Sequence, residues 1–302
     1  MSLRVLVTGA SGYAGGVIAA RLRALGMSVI TAGRASSNDL QLDLADPRRV
    51  AALDLPAGID ACVHAGAMHE VACRADPQAA YVVNVAGTRA LLQACERVGI
   101  RRLAYISTFH VYGRPEGELD ESALPTPVND YGLTHLQAEQ LFELAAGSMG
   151  ASVDILRPAN LYGAPASWDG FDRWTLAPFD FCQQAVRDGR IVLHGQGRAV
   201  RNYLDVAYVA EVLAKRLQGP GSGLAHLAGE DWRIRDLAEL AAAQASACLG
   251  KPVVVQTGEV HEALAPAYRY CSRTLVPREG DERASMAAFL ARTLAHLTEC
   301  KA

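Results

Sequence analysis

Short β-branched runs alternate with longer amphipathic stretches through the first half of the chain. "LRVLVTG" reads as a buried strand, and residues 13–26 follow with apolar positions at helical spacing. "SVITAG" is a second strand, and "PRRVAAL" opens another helix. "DACVHAG" is a strand and 77–98 a long helix. "RRLAYIS" is a strand, 131–149 a helix and "SVDILRP" a strand. Strands alternating with helices predict a parallel sheet covered on both faces. Right-handed crossovers then make it a doubly wound α/β fold.

The pattern changes after Gly163. "APASWDGFDRWTLAPF" mixes Trp, Pro, Asp and Gly and predicts a loop. A helix near 178–189, a short strand "RIVLHG", the segment "GQGRAVRNYLDVAYVAEVLAKRL" and helices near 234–249 and 281–297 complete the chain. The expected organisation is a dinucleotide-binding Rossmann layer over 1–163, joined by 201–228. A smaller, discontinuous substrate-binding cap comes from 164–200 and 229–302.

The chain has 302 residues, half of them hydrophobic and a fifth charged, with a net charge of -3. That suits a globular protein with a full core. Lys and Arg are scattered, which argues against a nucleic-acid partner. No apolar run has the length of a membrane span. The N-terminus enters a strand without the layout of a signal peptide. Seven cysteines (Cys62, Cys73, Cys95, Cys182, Cys248, Cys271 and Cys300) form no CxxC pair. They are expected as buried structural thiols in a reducing cytoplasm. "HEVAC" at 69–73 and "HEALA" at 261–265 each lack the second His of a zinc helix, so no metal site is expected.

"VLVTGASGYAGG" sets Gly9, Gly12 and Gly15 after a strand and at the mouth of a helix. Glycine allows the tight turn and lets a pyrophosphate approach the backbone. The helix N-terminus offers free N–H groups and the positive end of its dipole. Ser11 and Tyr13 belong to the same turn. After the second strand stand Gly33, Arg34 and Ser36, where an acid would select NAD by accepting from the ribose 2′-hydroxyl. Arg34 suits a 2′-phosphate or the adenine face. NADP(H) is therefore favoured, with NAD(H) left open. Asp43, followed by Leu44, suits the adenine amino group, and Ala65, Gly66 and Ala67 are small enough for a dinucleotide to lie against.

Together these segments resemble the extended short-chain dehydrogenase/reductases, the NAD-dependent epimerase/dehydratase family. The resemblance runs through "TGASGYAG", "DL" at 43–44, "HAGA", "NVAGT", "YISTFHVYG", "YGLTH", "RPANLYG" and "VRNYLDV". It implies a catalytic Ser or Thr, a Tyr and a Lys. Thr108 falls on the first position and Tyr131 on the second, while His135 stands where Lys is expected. Residues 131 and 135 share one helix face. Thr108 is expected to hold the carbonyl oxygen and Tyr131 to deliver the proton. His135 is expected to hold the nicotinamide ribose. Lowering a phenol from about 10 to about 7 takes roughly 4 kcal/mol of electrostatic help, which a neutral His supplies poorly. Pro158 joins the expected cofactor contacts.

Relatives that dehydrate sugars follow the Thr with Asp and Glu. This chain has Phe109 and His110, which makes dehydration an unsuitable reading and leaves His110 a candidate substrate contact. By the same resemblance Asn160 and Arg201 are candidates for a substrate diphosphate, although Asn202 and Ala207 depart from the family pattern. Trp168, Phe171 and Trp174 suit either an aromatic-lined pocket or the core of the cap. The leading expectation is an NADPH-dependent ketoreductase acting on a nucleotide-linked 4-keto-6-deoxyhexose. The alternatives are an epimerase with tightly held NAD, a reductase of a non-sugar natural product, and a non-catalytic NADP(H) sensor. The resemblance also implies a homodimer formed through 77–98 and 131–149.

Overall fold

The computed structural model describes residues 2–219, 223–260, 267–275 and 281–300. The first half runs β1 (Arg4–Thr8), α1 (Tyr13–Ala24), β2 (Ser28–Gly33), β3 (Leu40–Gln41), α2 (Pro47–Ala51), β4 (Ala61–His64), α3 (Glu70–Ala75), α4 (Pro77–Tyr81), α5 (Thr88–Arg97), β5 (Arg102–Ile106), β6 (Gly117–Leu119), α6 (Asp130–Met149) and β7 (Ser152–Pro158). The second half continues β8 (Asn160–Tyr162), α7 (Ala177–Asp188), β9 (Arg190–Gly195), β10 (Val200–Asp205), α8 (Val206–Gln218), β11 (Gly223–Leu227), β12 (Glu230–Arg233), α9 (Ile234–Leu249), β13 (Val254–Val260), β14 (Tyr268–Tyr270) and α10 (Glu282–Glu299).

Seven strands form one sheet in the order β11-β7-β5-β4-β1-β2-β3, and every pairing in it is parallel. The chain leaves β1 in one direction and returns to β4 to travel in the other. The switch lies between β1 and β4, where open α/β sheets hold ligands beyond the carboxyl ends of their strands. Both faces are covered. Val5 and Val7 of β1 join an apolar cluster with Ile18 and Leu22 of α1 and Leu213 and Leu217 of α8. Leu6, between them, joins the opposite cluster with Leu91 of α5 and Phe142 of α6. That alternation is the period of two of a strand.

A third cluster gathers Phe179, Trp232, Leu237, Phe289 and Leu290 from α7, β12, α9 and α10. Beside it a small sheet pairs β12 with β10 and β10 with β8. Tyr203 lies opposite Asn160 there, so the "RPANLYG" and "VRNYLDV" segments are neighbours. The second segment divides at Asp205, whose carboxylate accepts from the Ala207 N–H at 2.9 Å and starts α8.

Two expectations change. The helix expected over 77–98 is interrupted by a π turn at Val82–Gly87. A Cβ on Gly87 would stand 2.6 Å from the Leu44 carbonyl oxygen, so the turn packs directly on that backbone. The turn also aims Asn84 inward. Its side-chain oxygen accepts from Met68 N at 2.7 Å, and its amide donates to Thr134 Oγ1 at 3.0 Å. The cysteines are not all buried: Cys248 and Cys300 are exposed and Cys271 is half-buried, because these three lie on or near the molecular surface.

No helix among the described residues is long and apolar enough to cross a membrane. His69 of "HEVAC" caps α3, its Nδ1 accepting from Ala72 N at 3.3 Å. "HEALA" lies outside the described residues.

Candidate active site

The glycine loop follows β1 and presses against the end of β4. Gly9 has a φ of +71°, and a Cβ there would lie 2.6 Å from the Ala65 carbonyl and the Gly66 backbone. On Gly15 a Cβ would lie 2.3 Å from the Gly9 carbonyl. Neither position has room for a side chain. Gly12 precedes α1, and no side chain caps the helix there. Its first N–H groups are thus left for an anion, as a dinucleotide phosphate requires.

The end of β2 is tied to this loop. Ser11 Oγ accepts from the Asn38 amide at 2.7 Å. The nearby acid Asp39 is already committed, accepting from the N–H and the hydroxyl of Thr31, both at 2.8 Å. Arg34 and Ser36 are exposed, and Arg34 has no ion pair among the described residues. Asp43 is exposed and accepts from Ala45 N at 3.0 Å, while Leu44 is buried beneath Gly66. Ala65, Gly66 and Ala67 form the opposite lip of the crevice. Pro158 ends β7, buried beside Leu227 of β11. The fit to a dinucleotide thus rests on glycine positions closed to any Cβ and on an uncapped helix start.

Thr108 follows β5, and its hydroxyl accepts from His110 N at 3.2 Å to open a short 3-10 turn. Asn129 caps α6 by accepting from Gly132 N at 2.9 Å. A Cβ on Gly132 would stand 2.6 Å from the His110 carbonyl, so the glycine lets the start of α6 press against that turn. This brings the Tyr131 ring 5.6 Å from the His110 ring and 4.6 Å from the His135 ring. Burial raises the pKa of Tyr131, against opposing pulls from Arg173 and the Thr108 hydroxyl. Its phenol is protonated at neutral pH.

His135 is buried, and its Nδ1 lies 2.7 Å from the Tyr105 hydroxyl. Burial drives the Tyr105 pKa well up, so that phenol keeps its proton. The second ring nitrogen of His135, Nε2, finds no partner among the described residues. Burial lowers its pKa to about 3. His135 therefore carries no charge at neutral pH.

One helical turn further along α6, Glu139 accepts from Ser107 and holds Arg157 through two bonds, at 2.9 and 2.6 Å. Arg157 also donates to the Tyr112 hydroxyl, which lies 2.6 Å from His226 Nε2. A buried polar chain thus supports the floor of the site. A cavity of about 360 Å³ lies near its far end, lined by His226, Asp231, Arg269 and Tyr270 among others, and none of Thr108, Tyr131 and His135 lines it.

A sequence model of the NAD dependent epimerase/dehydratase family matches residues 5–232. The chain belongs to this family. A 2-alkyl-3-oxoalkanoate reductase of Stenotrophomonas maltophilia is 31% identical over 88% of this chain and 84% of its own. A UDP-glucose 4-epimerase of Azospirillum brasilense is 34% identical over 56% of this chain and 52% of its own. The solved UDP-N-acetylglucosamine 4-epimerase of Methanobrevibacter ruminantium, in complex with UDP-N-acetylmuramic acid, superposes with a TM-score of 0.80, covering 99% of each chain at 21% identity. The doubly wound parallel sheet is thus the family's fold, and the protein is an NAD(P)-dependent enzyme of the extended short-chain dehydrogenase/reductase type.

Within this family member the end of β5 and the start of α6 bring the Tyr131 ring beside the His110 and His135 rings, next to the turn that Thr108 opens. Asn160 and Arg201 lie on paired strands but are occupied: Asn160 donates to the Asn202 carbonyl at 2.9 Å, and Arg201 to the Val200 carbonyl at 3.1 Å. Trp168, Phe171 and Trp174 pack onto the cap cluster. Two features were not anticipated. The charge of Arg173, between those aromatics, opposes the rise that burial gives the Tyr131 pKa and adds to the lowering that burial gives His110, and no periodicity marks a loop residue in advance. The Glu139–Arg157 pair had a visible signal, since residues 131, 135 and 139 share one helical face.

Proposed function

We propose that this enzyme is an NADPH-dependent ketoreductase. The observation that carries the reading is the pairing of a protonated Tyr131 with a neutral His135. Reduction begins from the phenol. Oxidation, the first half of an epimerase cycle, begins from the phenolate, which this site leaves poorly supported. When bound, the nicotinamide supplies hydride to the carbonyl carbon. Thr108 holds the carbonyl oxygen, and Tyr131 gives it a proton as charge develops there. His135 Nε2–H is the donor we assign to the nicotinamide ribose, a contact that requires the cleft to adjust because the atom is closed to water. Arg34 takes the 2′-phosphate, consistent with Asp39 being consumed by Thr31.

For the substrate we favour a ketone on an apolar body. The sequence match to the 2-alkyl-3-oxoalkanoate reductase covers 88% of this chain, whereas that to the UDP-glucose 4-epimerase covers 56%. A nucleotide-linked keto sugar is the second reading, favoured by Arg201 of β10, whose charge adds to the lowering that burial gives the His110 pKa. As the resemblance implies, we assign a homodimer contact to the face made by α4, the π turn, α5 and α6, where Val82 of the turn and Leu144 of α6 are exposed.

The test is NADPH consumption by purified protein with a 3-oxoalkanoate and, in parallel, a 4-keto-6-deoxy sugar nucleotide. Consumption that stops in Tyr131→Phe supports the reductase, and the preferred ketone selects the substrate class. NAD that copurifies and recycles without net consumption would replace the reading with an epimerase.

A further inference from the structure

The two ring nitrogens of His135 have unequal surroundings, and the inequality has its cause in the central sheet. Tyr105 lies on β5, in register with His64 of β4 and Ile155 of β7. It is 1% exposed. Its ring stacks on Phe142 at 5.1 Å and on His64 at 5.6 Å. His64 is in turn held by the Thr8 and Thr88 hydroxyls. The phenol therefore stands on a fixed support. Its hydroxyl reaches α6, 2.7 Å from His135 Nδ1, and among the described residues this is the only hydrogen bond that either side chain makes.

One hydrogen bond uses one proton, so the two ways of making this one can be compared. If Tyr105 donates, its proton is used and the neutral imidazole carries its hydrogen on Nε2. One buried polar atom, Nε2, is then left without a partner. If His135 donates from Nδ1, the Tyr105 proton has no acceptor, and two buried polar atoms are left unsatisfied. Burying an unmade donor is unfavourable, so the first arrangement is the better one. The imidazole is neutral either way, because burial lowers its pKa to about 3. The place of the leftover atom is informative. His135 shares a face of α6 with Tyr131, whose ring meets it edge-on at 4.6 Å. A buried nitrogen without a partner, on the ring beside the reacting phenol, is what a ligand hydroxyl would satisfy.

We propose that Tyr105 is a positioning residue of this site: its hydroxyl donates to His135 Nδ1 and so fixes the imidazole as an Nε2–H donor for a hydroxyl of the cofactor's ribose. A Lys ammonium carries donors whatever its neighbours. A neutral imidazole has one N–H, and the bond made by one nitrogen sets which of the two holds it. Tyr105 is what makes a histidine workable at this position. It acts only through His135. This rests on His135 taking the ribose, as assigned above, and on nothing assumed about the ketone.

The test reads the tautomer directly. Long-range proton–nitrogen correlation NMR is recorded on protein isotopically labelled at its eight histidines, and His135→Gln identifies the signal. In the wild-type protein at about pH 7, Nε2 is expected protonated and Nδ1 bare. In Tyr105→Phe, which keeps the stacked ring and removes one oxygen, the two nitrogens move toward a common averaged shift. NADPH and NADH are then titrated by fluorescence. For the tighter of the two, Tyr105→Phe lowers affinity about threefold to tenfold, as loss of one hydrogen bond would. In the His135→Lys background, where no tautomer is at stake, the same change alters affinity by less than about twofold. A wild-type His135 protonated on Nδ1 overturns the proposal, and that reading needs no variant to fold. So does a tautomer unmoved by Tyr105→Phe, or an equal loss of affinity in both backgrounds, which marks Tyr105 as packing alone. Neither readout involves turnover. An inactive ketone or recycled NAD, which would end the ketoreductase reading, therefore leaves the tautomer and the affinity difference as they are.

Discussion

In the proposed reduction Tyr131 surrenders a proton, and burial keeps that phenol protonated beforehand. Tyr131→Phe is expected to lower kcat on the accepted ketone by about 10²–10⁴-fold, the usual range for losing a general acid, with NADPH affinity nearly unchanged. Single-turnover kinetics beside a binding titration separates the two. At the other end of the proposed NADPH site, Arg34→Glu would set a carboxylate against the 2′-phosphate. NADPH affinity is expected to fall about tenfold or more while NADH affinity holds, read by fluorescence titration. The glycines of the loop were legible in the sequence because their spacing has one geometric cause, and the structure shows it as carbonyls packed where a Cβ would stand. The placing of the loop around Trp168, Phe171 and Trp174 against Tyr13 was not legible, because where a loop lands is encoded by no local pattern.

Among the elements, α6 carries the greatest concentration of consequences. Tyr131, His135 and Glu139 lie on one face, and the last holds Arg157 in a pair that is almost wholly buried. Glu139→Ala leaves the guanidinium buried without its counter-charge and is expected to cost about 3–5 kcal/mol, measured as the shift in urea midpoint. The segment that follows β6 is fastened differently. Burial alone would raise the Glu121 pKa, but N–H groups of Arg273 and His226 and the Ser272 hydroxyl bring it down to about 2. Its folded value lies below its unfolded one, so its contribution is complete above about pH 4.5 and lost as pH falls toward 2. Glu121→Gln is expected to flatten that part of a stability-against-pH curve. The π turn ahead of α5 was invisible in the sequence: "YVVNVAGT" has ordinary helical spacing, and only contact with the Leu44 backbone explains the extra residue.

For the molecule as a whole, acid is the expected weakness. His64 and His135 are neutral and buried, each lowered by burial to about 3 from an ordinary value near 6.5. His64 is locked between the Thr8 hydroxyl at 2.6 Å and the Thr88 hydroxyl at 2.9 Å. The unfolded chain takes up protons at both, so stability is full above about pH 6.5 and declines as pH falls through the window toward 3. Thermal midpoints between about pH 7 and 5 are expected to fall, less steeply in His64→Gln. The central sheet was readable because its strands are apolar runs with one cause, burial on both faces. The cap was less so: its short strands pair across long sequence distances, as β8 does with β10. One bond then acquires wider meaning. Tyr13 is the first residue of α1, beside the glycine turn, and its hydroxyl donates to the Gly163 carbonyl, where the chain leaves β8 for α7. Any coupling carried by this tie is reciprocal: by whatever factor a ligand at the glycine turn strengthens capture of a second ligand beyond β8, that ligand strengthens retention of the first by the same factor.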